Sequence, residues 1–250
     1  MADFKDHFSG HSADYHKYRP HYPDELFDFI KGQISSTNNA WDVGTGNGQC
    51  AVKLADFMDA VLATDPSANQ IKNARAHGKV RYHVSAAEAC PVGLNEFDLI
   101  TVAQAMHWFD LEKFFNEVDR VLKPEGVLAV WTYGLARVSP EVDEIIDSFY
   151  SEIVGEYWPF ERKMVETNYE SIDFPFEEIA VPSFSIKLNY SLDDYLAYLF
   201  TWSAVKKYMK EKDANPIDLI EEEMTNNWGS RSEEKTVIWP VHMVARRKKI

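Results

Sequence analysis

The stretch Ala40-Trp41-Asp42-Val43-Gly44-Thr45-Gly46-Asn47-Gly48-Gln49 joins a short apolar run to glycines at every second position. A strand that ends in such a loop, at the mouth of a helix, brings bare backbone close to a ligand, because glycine tolerates positive φ and adds no side chain. Outward from this loop the rhythm continues. Apolar runs recur at residues 60–64, 80–84, 97–102 and 127–132, separated by amphipathic stretches. That alternation predicts parallel strands linked by helices, a doubly wound α/β sheet.

The links carry their own signals. Residues 48–57 and 67–76 read as helices, the second opened by Asp65-Pro66-Ser67 with a cap and an early proline. Phe114, Phe115, Val118, Val121 and Leu122 repeat at helical spacing until Lys123-Pro124-Glu125-Gly126 stops them, which predicts a helix feeding a turn into the fifth strand. Ahead of the first strand lies a polar, aromatic segment and then an amphipathic helix beginning at Pro23 and Asp24. After residue 137 the chain reads as a helix over 141–154, an aromatic irregular stretch over 157–175 and a strand over 184–188. Helices over 191–209 and 216–226 follow, with a last strand over 235–245. The expected organisation is a lid and ligand-binding core over 1–136, a cap insertion over 137–183, and a C-terminal completion of the sheet over 184–250.

Composition narrows the function classes. With 250 residues, 45% of them hydrophobic, the chain can bury a sizeable core. A net charge of −14 repels a phosphate backbone, so nucleic acid is not expected as a partner, and the basic end Arg246-Arg247-Lys248-Lys249 reads as a solvated tail. Neither a signal peptide nor an apolar window of about 18 residues is present, which predicts a soluble, cytoplasmic protein without a membrane partner. Cys50 and Cys90 show no metal-type spacing; they are expected reduced in the core, with no metal site. Nothing in the sequence speaks to oligomeric state.

The ligand of the glycine loop is decided by its neighbours. Position 49 is Gln, where a dinucleotide fingerprint needs glycine, and the Gly-Lys-Ser/Thr ending of a P-loop is missing. Asp42 at the loop entrance opposes a pyrophosphate and favours a ligand carrying positive charge. S-adenosylmethionine carries an ammonium and a sulfonium and no phosphate. Asp65, about 20 residues after the first glycine, stands where an acid can accept hydrogen bonds from two ribose hydroxyls, although Asp-Pro-Ser is also a good helix start.

Through "WDVGTGNGQ", "ATDPS", "SAAEACP", "FDLITVAQAMHWFD" and "RVLKPEGVLAVW" the chain resembles the class I S-adenosylmethionine-dependent methyltransferases of the type 11 group. "YHKYRPHYP", "TWSAV" and "VIWPV" extend the similarity to trans-aconitate methyltransferase-like enzymes acting on small molecules. The resemblance implies a Rossmann-like, seven-stranded, mostly parallel sheet with an antiparallel last strand and a helical, aromatic cap. It implies that Gly44, Gly46 and Gly48 face the methionine and ribose, that Asp42 helps hold the amino group, and that Asp65 takes the ribose hydroxyls. By the same resemblance Ala87 and Glu88 hold the adenine, Gln104 lies where cofactor meets substrate, and Tyr18 and Arg19 sit on an N-terminal lid where the arginine clamps the methionine carboxylate. Two departures stand out. Glu125 replaces a usual glycine, with Gly126 left to take the demanding turn conformation, and Pro240 inside the last strand is expected at its start or at a bulge.

Methyl transfer needs alignment and exclusion of water more than a nucleophilic side chain. A carboxylate acceptor is already ionised at neutral pH, whereas a phenol, alcohol or ammonium acceptor needs a base. His107, in "AMHWFD", is the catalytic candidate, either as that base or as a structural histidine shaping the pocket. The expected activity is carboxyl O-methylation of a small organic acid; the alternatives are O- or N-methylation with His107 as base, and a cofactor-binding regulator without turnover. Aromatic residues Tyr150, Tyr157, Trp158, Phe160, Tyr195, Tyr198 and Trp202 are expected over the cofactor site, and Arg137, Lys187, Lys206 and Lys207 are candidate carboxylate partners.

Overall fold

A computed structural model of the chain describes residues 20–249, so Tyr18 and Arg19 lie outside the described residues. The strands are β1 (Asn39–Val43), β2 (Ala60–Asp65), β3 (Val80–Val84), β4 (Phe97–Ala103), β5 (Leu122–Tyr133), β6 (Glu177–Ile179), β7 (Phe184–Tyr190) and β8 (Lys235–Arg247). They form one sheet in the order β3-β2-β1-β4-β5-β8-β6, with β7 also paired to β8. β1 to β5 are parallel, and β8 runs antiparallel to β5, β6 and β7. Val241 pairs with Tyr133 on one side and Phe184 on the other, and Arg247 with Val127 and Glu177, so β6 and β7 share one edge position. The sheet is therefore the expected mostly parallel one with seven positions and a reversed last strand. Its edge is broken between Ile179 and Phe184, where Pro182 cannot donate to a ladder.

Among the described residues the α-helices are α1 (Asp24–Gln33), α2 (Gln49–Leu54), α3 (Ala68–Lys72), α4 (Leu111–Val121), α5 (Pro140–Ser148), α6 (Arg162–Glu166), α7 (Leu192–Phe200), α8 (Ser203–Lys212) and α9 (Glu221–Trp228). No helix among them is long and apolar enough to cross a membrane. Side chains alternate across a strand, and the core divides accordingly. Ala129 and Trp131 of β5 join one apolar cluster with α1, α2, α5, α7, α8 and α9. Leu128 and Val130 join the other with Phe114, Val118 and Val121 of α4 and Val165 of α6. α4 is placed by its sequence: the Asp110 carboxylate caps it by accepting from the Lys113 amide, and its apolar residues fall on one face. Residues 137–183 start on the first face with Val142, Ile146 and Phe149 and finish on the second with Tyr169 and Phe174.

Three local expectations are corrected. The positive φ of the turn into β5 belongs to Glu125, at 64°, and not to Gly126. Gly126 is needed for space, because a Cβ there would lie 2.7 Å from Leu122 Cδ1 and 2.9 Å from the Lys123 carbonyl oxygen. Pro240 sits neither at the start of β8 nor at a bulge; it pairs with Ser185 in an unbroken register with β7. Ile238 turns its amide and carbonyl toward Arg137, so by alternation Pro240 faces the same side, in the gap between that bridge and the last β5 pair, where no donor is required. The basic end is tied to the fold. Arg246 pairs with Glu178 and lies over the Phe174 ring, Arg247 donates to the carbonyls of Glu125 and Gln33, and Lys248 donates to the Leu122 carbonyl and pairs with Asp119.

Candidate active site

The carboxyl ends of β1 to β4 lie along one rim, and between β1 and β4 the strand order reverses, the place where open α/β sheets bind ligands. The glycine loop after β1 stands there. Gly44, Gly46 and Gly48 have φ of 66°, 55° and 81°. A Cβ on Gly44 would lie 2.6 Å from that of Ala105, and one on Gly48 would lie 2.1 Å from the Tyr82 hydroxyl oxygen, which itself donates to the Arg75 carbonyl. Among the described residues nothing lies within 4 Å of a Cβ on Gly46, so they leave that side of the loop open.

Two acids hold this loop. Asp42 is 1% exposed and accepts from the Thr45 hydroxyl at 2.6 Å and the Thr101 hydroxyl at 2.8 Å. Burial pushes its carboxyl above the usual range, opposed by those hydroxyls. Asp42 thus lies behind the loop, and its contact with the ligand side runs through Thr45 and the backbone. Asp65 accepts from the Gly46 amide at 2.9 Å and the Ser67 amide at 2.9 Å. The Ser67 hydroxyl caps α3 by accepting from the Gln70 amide. Asp65 is therefore both a loop anchor and a turn-former at the end of β2.

The neighbouring loops complete the rim. Ala87 is buried, and the Glu88 carboxylate accepts from the Asp110 amide at 2.8 Å, tying the β3 loop to the β4 loop. Gln104 has φ of 56°, a left-handed conformation that a non-glycine residue adopts at a cost of about 1–2 kcal/mol. Its amide is fastened to β5, donating to the Tyr133 carbonyl at 3.0 Å and accepting from the Thr132 hydroxyl at 2.6 Å. His107 follows on a single 3₁₀ turn, Met106–Trp108, 9% exposed, with Nδ1 3.0 Å from the Tyr169 hydroxyl. Burial, with the positive charge of Arg162 adding to it, pulls the imidazole down to about 3. His107 is neutral throughout the physiological range.

The aromatic segment divides. Tyr157, Tyr195, Tyr198 and Trp202 are buried in the first apolar cluster, Phe160 is exposed, and Tyr150 and Trp158 are half-buried. Arg137 is paired with Asp147 at 2.9 Å, which removes it as a carboxylate partner. Sequence reasoning missed Thr101, Tyr82, Tyr169 and Arg162. Thr101 left a signal, a hydroxyl among the otherwise apolar residues 99–103 of β4, where a buried polar group needs a partner. Tyr169 and Arg162 left none, since the stretch that carries them has no periodic pattern.

The donor set suits a cationic, phosphate-free ligand. The loop over residues 42–49 has no basic side chain, a carboxylate behind it and another beside it, and an open face at Gly46. A profile of the family described as "Methyltransferase domain" matches residues 41–130, the stretch from β1 to β5. A Dictyostelium discoideum protein named a "putative methyltransferase" is 33% identical over 252 residues, covering 98% of this chain and 96% of its own length. The Saccharomyces cerevisiae protein named "probable S-adenosylmethionine-dependent methyltransferase CRG1" is 27% identical over 63% of this chain and 59% of its own length. A solved structure from Anaeromyxobacter dehalogenans, described as a "putative type II methyltransferase", is 38% identical with a TM-score of 0.88, covering 93% of this chain and all of that one. With the rim, the loop and these relatives in agreement, the chain belongs to the class I S-adenosylmethionine-dependent methyltransferases, with S-adenosyl-L-methionine as its cofactor.

Proposed function

We propose that the enzyme methylates a carboxylate oxygen of a small organic acid. The observation that carries this reading is the state of His107. A phenol or ammonium acceptor must lose a proton as it is methylated, and His107 is the base candidate of the rim. An imidazole lowered from 6.5 to about 3 disfavours its protonated form by about 5 kcal/mol, and a bound sulfonium adds charge of the same sign. A carboxylate asks for no base. His107 then serves as a shaped, neutral wall of the acceptor pocket, held by Tyr169.

When bound, S-adenosylmethionine supplies the activated methyl group. Asp65 would accept from the ribose hydroxyls through its charged carboxylate, while Ala87 and Glu88 would border the adenine. Gly44, Gly46 and Gly48 would offer bare backbone to the methionine and ribose, and Asp42 would bias the loop toward the ammonium through Thr45. Gln104 would mark the boundary between cofactor and acceptor, Arg19, next to Tyr18, would clamp the methionine carboxylate, and residues 137–183 would cover the acceptor side. The resemblance to trans-aconitate methyltransferase-like enzymes supports an acid as acceptor.

The test is a labelled-methyl assay over organic acids, phenols and amines, followed by mild alkali. Label that transfers to acids and is released by alkali is the expected result. Label on phenols or amines alone, stable to alkali, sinks the reading.

A further inference from the structure

The tyrosine that bonds His107 is delivered by a strained piece of backbone. α6 is followed by two consecutive left-handed residues, Asn168 at φ of 55° and Tyr169 at 62°, a conformation that a bulky side chain seldom adopts. The Asn168 amide still donates to the Val165 carbonyl, and the Tyr169 amide to the Met164 carbonyl at 2.9 Å, so the end of α6 stays closed while the chain reverses. The Tyr169 ring is 1% exposed and lies 6.3 Å from the His107 ring at an interplanar angle of 27°. α6 itself packs against the Met106–Trp108 turn. Ala105 and Phe109 flank that turn, and a Cβ on Gly44 would meet them at 2.6 Å and 3.4 Å. The turn is thus pinned between the glycine loop on one side and Tyr169 on the other.

The protons around the Tyr169 hydroxyl can be placed one by one. Burial holds this phenol above its ordinary range, so it keeps its own proton. The backbone amides of Met106 and His107 head the turn, where no backbone carbonyl bonds them among the described residues, and they face the phenol oxygen. The Thr132 hydroxyl is close as well, but its proton goes to the Gln104 side-chain oxygen at 2.6 Å. The Tyr169 proton therefore needs an acceptor, and the group in hydrogen-bonding position is His107 Nδ1, at 3.0 Å. A neutral imidazole has one bare nitrogen and one N–H. With Nδ1 bare the proton is on Nε2, which has no hydrogen-bond partner among the described residues. We propose that Tyr169 is a positioning residue that holds His107 as the Nε2–H tautomer, so that an acceptor reaching Nε2 meets a hydrogen-bond donor and no basic lone pair. A carboxylate oxygen can accept from that N–H, whereas a phenol or ammonium cannot give up a proton there. The inference deepens the acid reading of the preceding section and rests on it for the nature of the acceptor.

The experiment is two-bond proton–nitrogen correlation NMR on the full chain with isotope-labelled histidine rings, near neutral pH, for wild type and Y169F. H107Q identifies the His107 signals among the eight histidines. In wild type, Nδ1 is expected at the position of a bare, hydrogen-bonded nitrogen and Nε2 at that of a protonated one. Y169F removes one oxygen; it should move Nδ1 toward the free-nitrogen position and lower the ratio of Nε2–H to Nδ1–H tautomer by roughly tenfold. A wild-type spectrum with the proton on Nδ1 overturns the proposal, because His107 would then donate to Tyr169 and keep its lone pair at Nε2. An unchanged tautomer ratio in Y169F overturns the role given to Tyr169. Should Y169F not fold, the wild-type spectrum still decides, through the protonated nitrogen and the hydrogen-bonded shift of Nδ1. The tautomer is read without any acceptor present, so its failure is separate from that of the acid reading. Alkali-stable label found only on phenols or amines sinks the acid reading and leaves the measured tautomer as it is.

Discussion

At the scale of single residues, Asp65 has two duties that a measurement can separate. Its carboxylate takes the Gly46 and Ser67 amides, which shapes the loop and opens α3 without any ligand. Hydroxyls of a ribose are donors that a charged carboxylate oxygen binds strongly. Asp65→Ala is expected to weaken S-adenosylmethionine binding by roughly 1.5–3 kcal/mol, read by calorimetry. Asp65→Asn, which keeps one acceptor oxygen for the loop and loses the charge, should restore stability more than affinity. Unchanged affinity in both variants would leave Asp65 as a loop anchor alone. That ambiguity was already visible in Asp65-Pro66-Ser67, a good ribose position and a good helix start at once. Asp42 shows the opposite limit of sequence reading. Its place before the glycines was legible, but that it faces inward to Thr101 was not, because the partner comes from β4, 59 residues away.

Elements explain why some boundaries were legible and others not. β1, β2 and β4 were readable as apolar runs because strands inside a parallel sheet, covered on both faces, have near-continuous hydrophobic sequence, whereas β3, the exposed edge strand, was readable only from the alternation of Val80, Tyr82 and Val84 with Arg81 and His83. β6 was invisible: its residues Glu177, Glu178 and Ile179 are a short edge with charges pointing out, held by pairing to β8. The turn into β5 was legible as a turn and misread in detail. Four residues, Lys123 to Gly126, bulge where β4 pairs through Phe97 and Leu99 with Leu122 and Val127, and the left-handed position falls on Glu125. Its amide donates to the Lys248 carbonyl and its own carbonyl accepts from Arg247, so tertiary bonds impose the conformation. A side chain at φ of 64° costs about 1–2 kcal/mol, against about 0.5–1 kcal/mol for the extra freedom glycine loses on folding. Glu125→Gly is therefore expected to stabilise the protein by up to about 1 kcal/mol in urea unfolding, with activity unchanged. A clear loss of stability would show that the Glu125 side chain makes a favourable contribution outweighing its backbone strain. The same substitution at Gly126 is not symmetrical, since any side chain there meets Leu122 and the Lys123 carbonyl.

For the whole molecule, the buried histidine links the site to stability. His107 is pulled down to about 3 by burial and by Arg162, and His21 and His242 are lowered as well, chiefly by burial. In the unfolded chain an imidazole takes up its proton as pH falls through about 6.5, whereas the folded His107 stays neutral until about 3. Between those values the unfolded state binds more protons, so folding stability drops as pH is lowered. The limiting slope from His107 alone is about 1.4 kcal/mol per pH unit, which amounts to about 2–3 kcal/mol between pH 6.5 and 4.5. Asp42 acts in the other sense, because its raised carboxyl holds a proton in the folded state at higher pH than in the unfolded one. Falling pH also relieves the self-repulsion of a chain with net charge −14. Both of those effects are common to wild type and to His107→Gln, a neutral side chain of similar polarity. The difference between the two stability-against-pH curves, measured by denaturant unfolding, therefore isolates the imidazole. It should widen in favour of the variant by about 2–3 kcal/mol from pH 6.5 to 4.5, whatever the offset at pH 7. Parallel curves would mean that His107 titrates normally in the folded protein, which would return it to the list of bases and reopen phenol and amine acceptors.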